Sequence, residues 1–321
     1  MLRISNAPAD IDDKTMSDLT NYFTASFKAS VYFNFTHEAD ITLNEVYVYA
    51  SKIFDSPEAL HEQSVNLAKH LYEQSNHPKI KGGEFYVVYF KDCIVDGETV
   101  DAVGLFKSEN KDTFLKVYPA GDGFEIESQQ GININKLDKG CLIFNTDREN
   151  GYVVAIVDNT NKGAEAQYWI DDFLHVRQRR DEYYNTQNLL SMTKNFVTHE
   201  LPNHFEVSKA DQVDLLNKSV KFFKEKDTFD MDEFANEVIA QPEVIDSFNR
   251  YRDEYARDRD IEFSDSFTIS DSAVKKQARV FKSVIKLDKN FHIYVHGDRN
   301  LIEQGEDDKG KFYKVYYKEE Q

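Results

Sequence analysis

The hydrophobic period of this chain switches from helical to strand-like, back to helical, and finally to strand-like again. That order limits the fold more than any single motif. Along residues 11–35, Met16, Leu19, Tyr22, Phe23 and Phe27 recur at helical spacing behind Asp12 and Asp13, which predicts a capped amphipathic helix. A second helix is expected over residues 43–54. Asp55-Ser56-Pro57 then signals a new start with proline in the first turn, and Leu60, Val65, Leu67, Ala68, Leu71 and Tyr72 carry that helix to Asn76-His77-Pro78. From Glu84 the pattern shortens. Residues 84–90, 100–107, 113–117, 140–144 and 152–157 are β-branched and aromatic runs separated by short polar turns. Residues 109–112 read as the hairpin loop between the second and third runs, and Gly121-Asp122-Gly123 as a turn. Strands that succeed one another without helices between them pair antiparallel, which excludes a parallel βαβ sheet.

Beyond the strands, a short helix is expected at 166–174, then longer ones at 182–199, 208–225, 231–240 and 242–256. Strands return at 281–286, 291–296 and 312–317, read as a terminal meander. The fold class is therefore α+β. Residues 1–180 form an α+β domain with an antiparallel meander, and residues 181–321 a helical domain ending in a small β-meander. The boundary falls where polar residues cluster, at 178–185.

Composition supports folded cores: 40% of the 321 residues are hydrophobic, with 24 Phe and 18 Tyr. No apolar run approaches the roughly 20 residues of a membrane span. The first residues turn acidic with no signal-peptide core, so the reading is cytoplasmic. Cys93 and Cys141 lie in strand-like runs and read as buried, reduced thiols. With 57 acidic against 39 basic residues, the net charge of −18 excludes a uniformly positive coat.

Catalytic signatures are missing: no phosphate-binding loop, dinucleotide fingerprint, nucleophile elbow or zinc-protease motif occurs. His292 and His296, with Asp298 nearby, have the spacing that chelates a metal on a helix, but they fall in a strand pattern. Four strand residues hold the rings about 13 Å apart. Asp101, Glu109 and Lys111 loosely match the acidic pattern of metal-dependent nucleases, yet an extended strand sets the two carboxylates about 25 Å apart. No catalytic residue, cofactor or metal is assigned.

Local charge is more informative. Residues 272–291 hold Lys275, Lys276, Arg279, Lys282, Lys286 and Lys289 against Asp288 alone, a net of +5. Residues 1–62 hold four basic and ten acidic residues, a net of −6. A net-negative protein can still carry a basic stripe, although a solvated charged face is the ordinary reading of such a run. Arg177, Arg179 and Arg180 form a smaller cluster beside Asp181 and Glu182, and Lys79 and Lys81 a third.

The stretch Gly104-Leu-Phe-Lys-Ser-Glu-Asn-Lys-Asp-Thr-Phe-Leu-Lys116 resembles the 37-kilodalton nucleoid-associated bacterial protein family, and the chain's own mass is 37.3 kDa. So do Asn133-Ile-Asn-Lys-Leu-Asp-Lys-Gly-Cys-Leu-Ile-Phe144, Tyr168-Trp-Ile-Asp-Asp-Phe-Leu174 and residues 281–318. The Bacteroidetes branch is the nearest in character. Similar proteins begin with an extra strand and short helix, so the resemblance implies a chain start that lacks them and a sheet edge left open. It implies association with DNA and the nucleoid, without an enzyme activity, and transfers no binding residue.

The expected function is thus a non-enzymatic, cytoplasmic nucleoid protein. It would bind DNA phosphates weakly through Lys275, Lys276, Arg279, Lys282, Lys286 and Lys289, aided by Arg177, Arg179 and Arg180. The alternative is an acidic interaction module that reaches the nucleoid through a DNA-handling partner protein. A nuclease using Asp101 and Glu109 is the third reading.

Overall fold

The computed structural model describes residues 2–28, 31–78, 80–160, 168–279, 281, 284–295 and 299–319. Two compact units divide the chain, Met1–Arg179 and Arg180–Gln321.

In the first unit, α1 (Asp13–Thr24) is followed by β1 (Phe33–Phe35), α2 (Glu45–Asp55), α3 (Leu60–Gln74), β2 (Glu84–Val95) and β3 (Glu98–Ser108). Then come β4 (Asp112–Ala120), β5 (Gly123–Gly131), β6 (Lys139–Phe144), β7 (Val153–Asp158) and β8 (Val176–Gln178). Six of these strands form one antiparallel sheet in the order β2-β3-β6-β7-β1-β8. The remaining pair, β4 and β5, forms its own ribbon.

Because side chains alternate across a strand, a sheet covered on both faces needs uninterrupted apolar runs. β3 and β6 have them. Val103, Leu105, Cys141 and Ile143 face a core closed by α2 and α3, with Val46, Ile53, Leu67 and Trp169. Ala102, Phe106, Leu142 and Phe144 face a second core closed by α1 through Tyr22 and Phe23. Phe23 stacks on Phe106 with centroids 4.1 Å apart and planes 12° apart. Burial of one such ring contributes about 1.5–3 kcal/mol, so α1 is held mainly by these two residues. Gly104 makes room for the layer: a Cβ there would sit 2.5 Å from a Phe106 ring carbon and 2.7 Å from one of Phe90.

Three expectations need correction here. The helix read over residues 11–35 ends at Thr24, and Phe33-Asn-Phe35 enters the sheet between β7 and β8. Alternating aromatics favour a strand there. Residues 109–112 are not a hairpin loop: β3 pairs with β2 and β6, while β4 turns back at Gly121 onto β5. Of the two thiols only Cys141 is fully buried; Cys93 is half-buried. Burial raises both thiol pKa values, so neither is a ready thiolate.

The second unit runs α4 (Glu182–Asn195), α5 (Leu201–His204), α6 (Lys209–Glu225), β9 (Thr228–Asp230), α7 (Met231–Phe234), α8 (Pro242–Arg259), β10 (Ser266–Thr268) and α9 (Asp271–Ala278). It ends with β11 (Val284–Leu287), β12 (Phe291–Tyr294), β13 (Ile302–Asp307) and β14 (Gly310–Val315). Phe196, Phe222, Phe223, Phe229, Phe234 and Phe248 make its core. α6 begins with a reciprocal capping box between Ser208 and Asp211. Arg299 Nε donates to Asp211 at 2.7 Å and fastens the C-terminal strands to that cap. The terminal meander is also corrected: β11–β12 and β13–β14 are separate two-stranded sheets. Among the described residues no helix is long and apolar enough to cross a membrane.

Candidate nucleic-acid interface

α9 starts at the Ser270 cap, whose hydroxyl accepts from the Ala273 N–H, and buries Ala273 and Val274. Its opposite side carries Lys275 and Lys276 in the last turn, with Arg279 capping the end; all three are exposed. Cations at a helix C-terminus face the negative end of the dipole, which also stabilises the helix. Lys276 Nζ lies 5.7 Å from the Tyr183 ring centroid. The hairpin β11–β12 continues the basic segment. Ile285, Leu287 and Ile293 pack on Ala210 and Val213 of α6. The other face carries Lys286 directly opposite His292, with Tyr294 one pair further along, and Lys289 sits at the turn. Lys286, His292, Lys289 and Tyr294 are all exposed. Among the described residues, none of Lys275, Lys276, Arg279, Lys286 and Lys289 has an acidic partner within ion-pair distance. Lys282 lies outside the described residues.

The arginine cluster divides. Arg177 is exposed on β8, the edge strand of the sheet, paired through the backbone with Asn34. Arg179 donates to Asp96 at 2.8 Å. Arg180 belongs to the second unit and donates to Glu262 at 2.5 Å. An anion approaching Arg179 or Arg180 has to displace a carboxylate, while Arg177 is open. Of the weaker cations, Lys79 lies outside the described residues and Lys81 donates to Asn110 Oδ1 at 2.7 Å.

The nuclease pattern does not assemble. Asp101, within β3, accepts from the Tyr89 hydroxyl at 2.6 Å, while Glu109 lies past the far end of that strand, about 25 Å away at strand rise. Lys111 pairs with Glu84 at 2.6 Å. His292 is a strand residue; His296 and Asp298 lie outside the described residues. Among the described residues no three metal-ligating side chains cluster.

Sequence reasoning missed a buried charged cluster. Lys107 Nζ, at the end of β3, donates to Glu109 Oε1 at 2.9 Å, to the Tyr168 hydroxyl at 2.8 Å and to the Lys81 carbonyl at 2.9 Å. The Tyr168 hydroxyl donates to Glu109 at 2.6 Å, and burial beside that carboxylate raises its pKa. Lys139, fully buried in β6, donates to Asp158 at 2.7 Å, and its Nζ stands 5.1 Å from the Tyr168 ring centroid. Asp138 accepts from the backbone N–H groups of Glu109 and Asn110 at 2.7 and 2.8 Å. The only available signal was Lys107 and Lys139 interrupting otherwise apolar strand runs. Lys107, Glu109, Tyr168 and Asp138 are hydrogen-bonded to one another or to nearby backbone and Lys139 is paired with Asp158, so the cluster joins β3, β6 and Tyr168 as a structural centre.

These features define a class: an acidic, two-unit α+β protein with an isolated basic segment on its second unit. The family model described as nucleoid-associated protein YejK (NA37) matches residues 1–311. The chain belongs to that nucleoid-associated protein family. No curated protein matches it. Three of the stretches that carry the sequence resemblance (104–116, 133–144 and 168–174) meet at the buried cluster, while the fourth, 281–318, takes in Lys286 and Lys289 of the basic segment.

Proposed function

We propose that the protein binds DNA directly and without enzymatic chemistry, at the nucleoid in the cytoplasm. Lys275, Lys276, Arg279, Lys286 and Lys289 contact phosphates, joined by Lys282; on the first unit, taken by itself, Arg177 is a further candidate phosphate contact. The observation that supports this most is their freedom. Arg148, Arg179 and Arg180 are held by carboxylates, whereas the described cations of this segment are exposed and without an acidic partner. A free cation exchanges hydration and counterions for phosphate without first breaking an ion pair. Tyr294 and His292 beside Lys286 add an aromatic surface suited to sugar or an unstacked base. Phosphate contact carries no sequence information, so binding is weak, salt-sensitive and indifferent to sequence.

The test is a salt titration of DNA affinity by fluorescence anisotropy. Engagement of the segment's six cations gives a log–log slope of about −5.4. A K275E/K276E variant lowers the magnitude of that slope by about 2 and weakens all duplexes alike. Unchanged affinity and slope would remove this segment from the interface. An indirect route rests on the acidic surface of residues 2–62. It is favoured instead if a DNA-handling partner is captured equally before and after complete nuclease digestion.

A further inference from the structure

The ribbon β4–β5 departs from the rest of the first unit. Its strands pair only with each other, and most of both faces is in water. Its base is anchored by Asn133 Nδ2, which donates to Asp112 at 2.7 Å, and by Phe114 lying over Gly131. An isolated two-stranded ribbon is marginal in water unless something covers it.

The two faces differ in kind. Cross-strand partners share a face, so the register separates the side chains cleanly. One face carries Phe114, Lys116 opposite Glu127, and Tyr118 opposite Glu125; the Tyr118 hydroxyl donates to Glu125 at 3.1 Å. That face is finished with polar pairs. On the other face Val117 stands opposite Ile126, Pro119 opposite Phe124, and Leu115 opposite Ser128. There Leu115 is 67% exposed, Val117 59%, Ile126 67% and Phe124 75%. Four large apolar side chains in one contiguous stripe are not scattered surface hydrophobics; such a patch marks an interaction site.

We infer that this apolar face of the β4–β5 ribbon packs against the same face of a second copy of the chain, making a two-fold dimer. Charge excludes the obvious alternative of an arm laid in a DNA groove. Asp112, Asp122, Glu125 and Glu127 outweigh Lys116, leaving the ribbon at −3. Shape favours self-association. A two-fold axis across the strands at Val117–Ile126 reverses one ribbon over the other. Phe124 then lies over Ser128 of the partner subunit, and Leu115 over Pro119 of the partner subunit, so the largest side chain meets the smallest. The area is sufficient. The four exposed side chains present roughly 450 Å² per copy, and with Pro119, Ser128 and the ribbon edges two copies bury about 1,000 Å². That is the lower limit for a specific interface, so the dimer is a concentration-dependent one in the micromolar range of Kd. The inference is independent of the DNA reading, since it uses none of the basic segment.

Sedimentation velocity of the full chain, without DNA, tests it between about 1 and 200 μM. The parent should shift from monomer to dimer across that range. Ile126→Lys replaces a side chain already two-thirds in water, so the fold is kept, and circular dichroism confirms that; it should weaken association at least tenfold. Tyr118→Ser, on the finished face, should leave association within twofold of the parent. A parent that stays monomeric throughout, including one whose apolar face is taken by another protein in cells, overturns the inference. So does an Ile126→Lys variant that dimerises like the parent, or a Tyr118→Ser variant that loses the dimer as Ile126→Lys does.

Discussion

Replacing Lys107 by Met removes a buried cation while keeping nearly the same volume, so the change isolates charge from packing. The Lys107 and Glu109 side chains are only 5% and 6% exposed. Without Lys107 the Glu109 carboxylate keeps the Tyr168 hydroxyl and loses its counter-ion, and the Lys81 carbonyl loses its donor. Breaking a buried pair by removing one partner costs about 3–5 kcal/mol, because the charge left behind is neither solvated nor paired. The first unit spans 179 residues. At that size each kcal/mol moves the midpoint by about 2–4 °C, so unfolding should shift down by roughly 6–20 °C. The protein supplies its own probe: Trp169 is the single tryptophan, it is fully buried in the first unit, and it neighbours Tyr168. Its fluorescence during a thermal scan of the full chain therefore follows that unit alone. Adding Glu109→Gln, which removes the orphaned charge and still accepts from Tyr168, should recover about 0.5–3 kcal/mol. A single variant melting within about 2 °C of the parent, or a double variant that is simply additive, would refute the reasoning.

Two further outcomes follow from the same unit. Gly104→Val puts a branched side chain against Phe90 and Phe106, which must swing away from Phe23; overpacking should cost about 1–3 kcal/mol in urea denaturation, and a neutral result would mean that the aromatic layer yields freely. Burial, reinforced for Tyr89 by its bond to Asp101, pushes the phenols of Tyr86 and Tyr89 up from 10.0 to about 12. Their folded values exceed the unfolded ones, so their contribution is fully present below pH 10 and is lost as pH rises through about 12. Trp169-monitored stability should fall across that window, and Tyr86→Phe should make the fall shallower; parallel profiles would exclude Tyr86 as a source.

Period and polarity made the architecture readable where burial is one-sided or complete. The helices at 182–199, 208–225 and 242–256 correspond closely to α4 with its π-turn extension, α6 and α8, because each carries a start signal: Asp181, Ser208 and Pro242. Chain-local signals failed where pairing is long-range. Phe33-Asn-Phe35 is too short to announce a strand, and it is one because β7 and Val176–Gln178 accept it from far along the chain. The ribbon β4–β5 interrupts β3 and β6, which are sheet neighbours, so sequence adjacency suggested a pairing of β3 with β4 that does not form. The basic segment was visible as a charge run, but its freedom from acidic partners was not: sequence set Asp181 and Glu182 beside the arginine cluster, whereas the acids that hold Arg179 and Arg180 are Asp96 and Glu262, far along the chain. The buried cluster stayed hidden because Lys107 and Lys139 read as surface lysines until Glu109, Tyr168 and Asp158 are brought to them.

The uneven charge makes one more demand on DNA binding. The second unit alone holds 22 basic and 29 acidic residues, a net of −7. With residues 272–291 at +5 set aside, the rest of that unit stands at −12. Near physiological salt the screening length is about 8 Å, so phosphates touching Lys275 or Lys286 feel the local cations and little of the remote acid. Near 10 mM salt it lengthens to about 30 Å, comparable with the unit itself, and the acidic majority then repels the duplex. Counterion release favours binding without limit as salt falls, whereas this repulsion grows. The log–log plot should therefore be linear above about 0.1 M and bend toward a plateau or a maximum below it. Neutralising acids away from the segment, such as Glu303 and Asp307 on β13, should straighten the low-salt limb and leave the high-salt slope alone. A plot that stays linear down to 10 mM would mean that the DNA contact lies where the acidic surface does not reach.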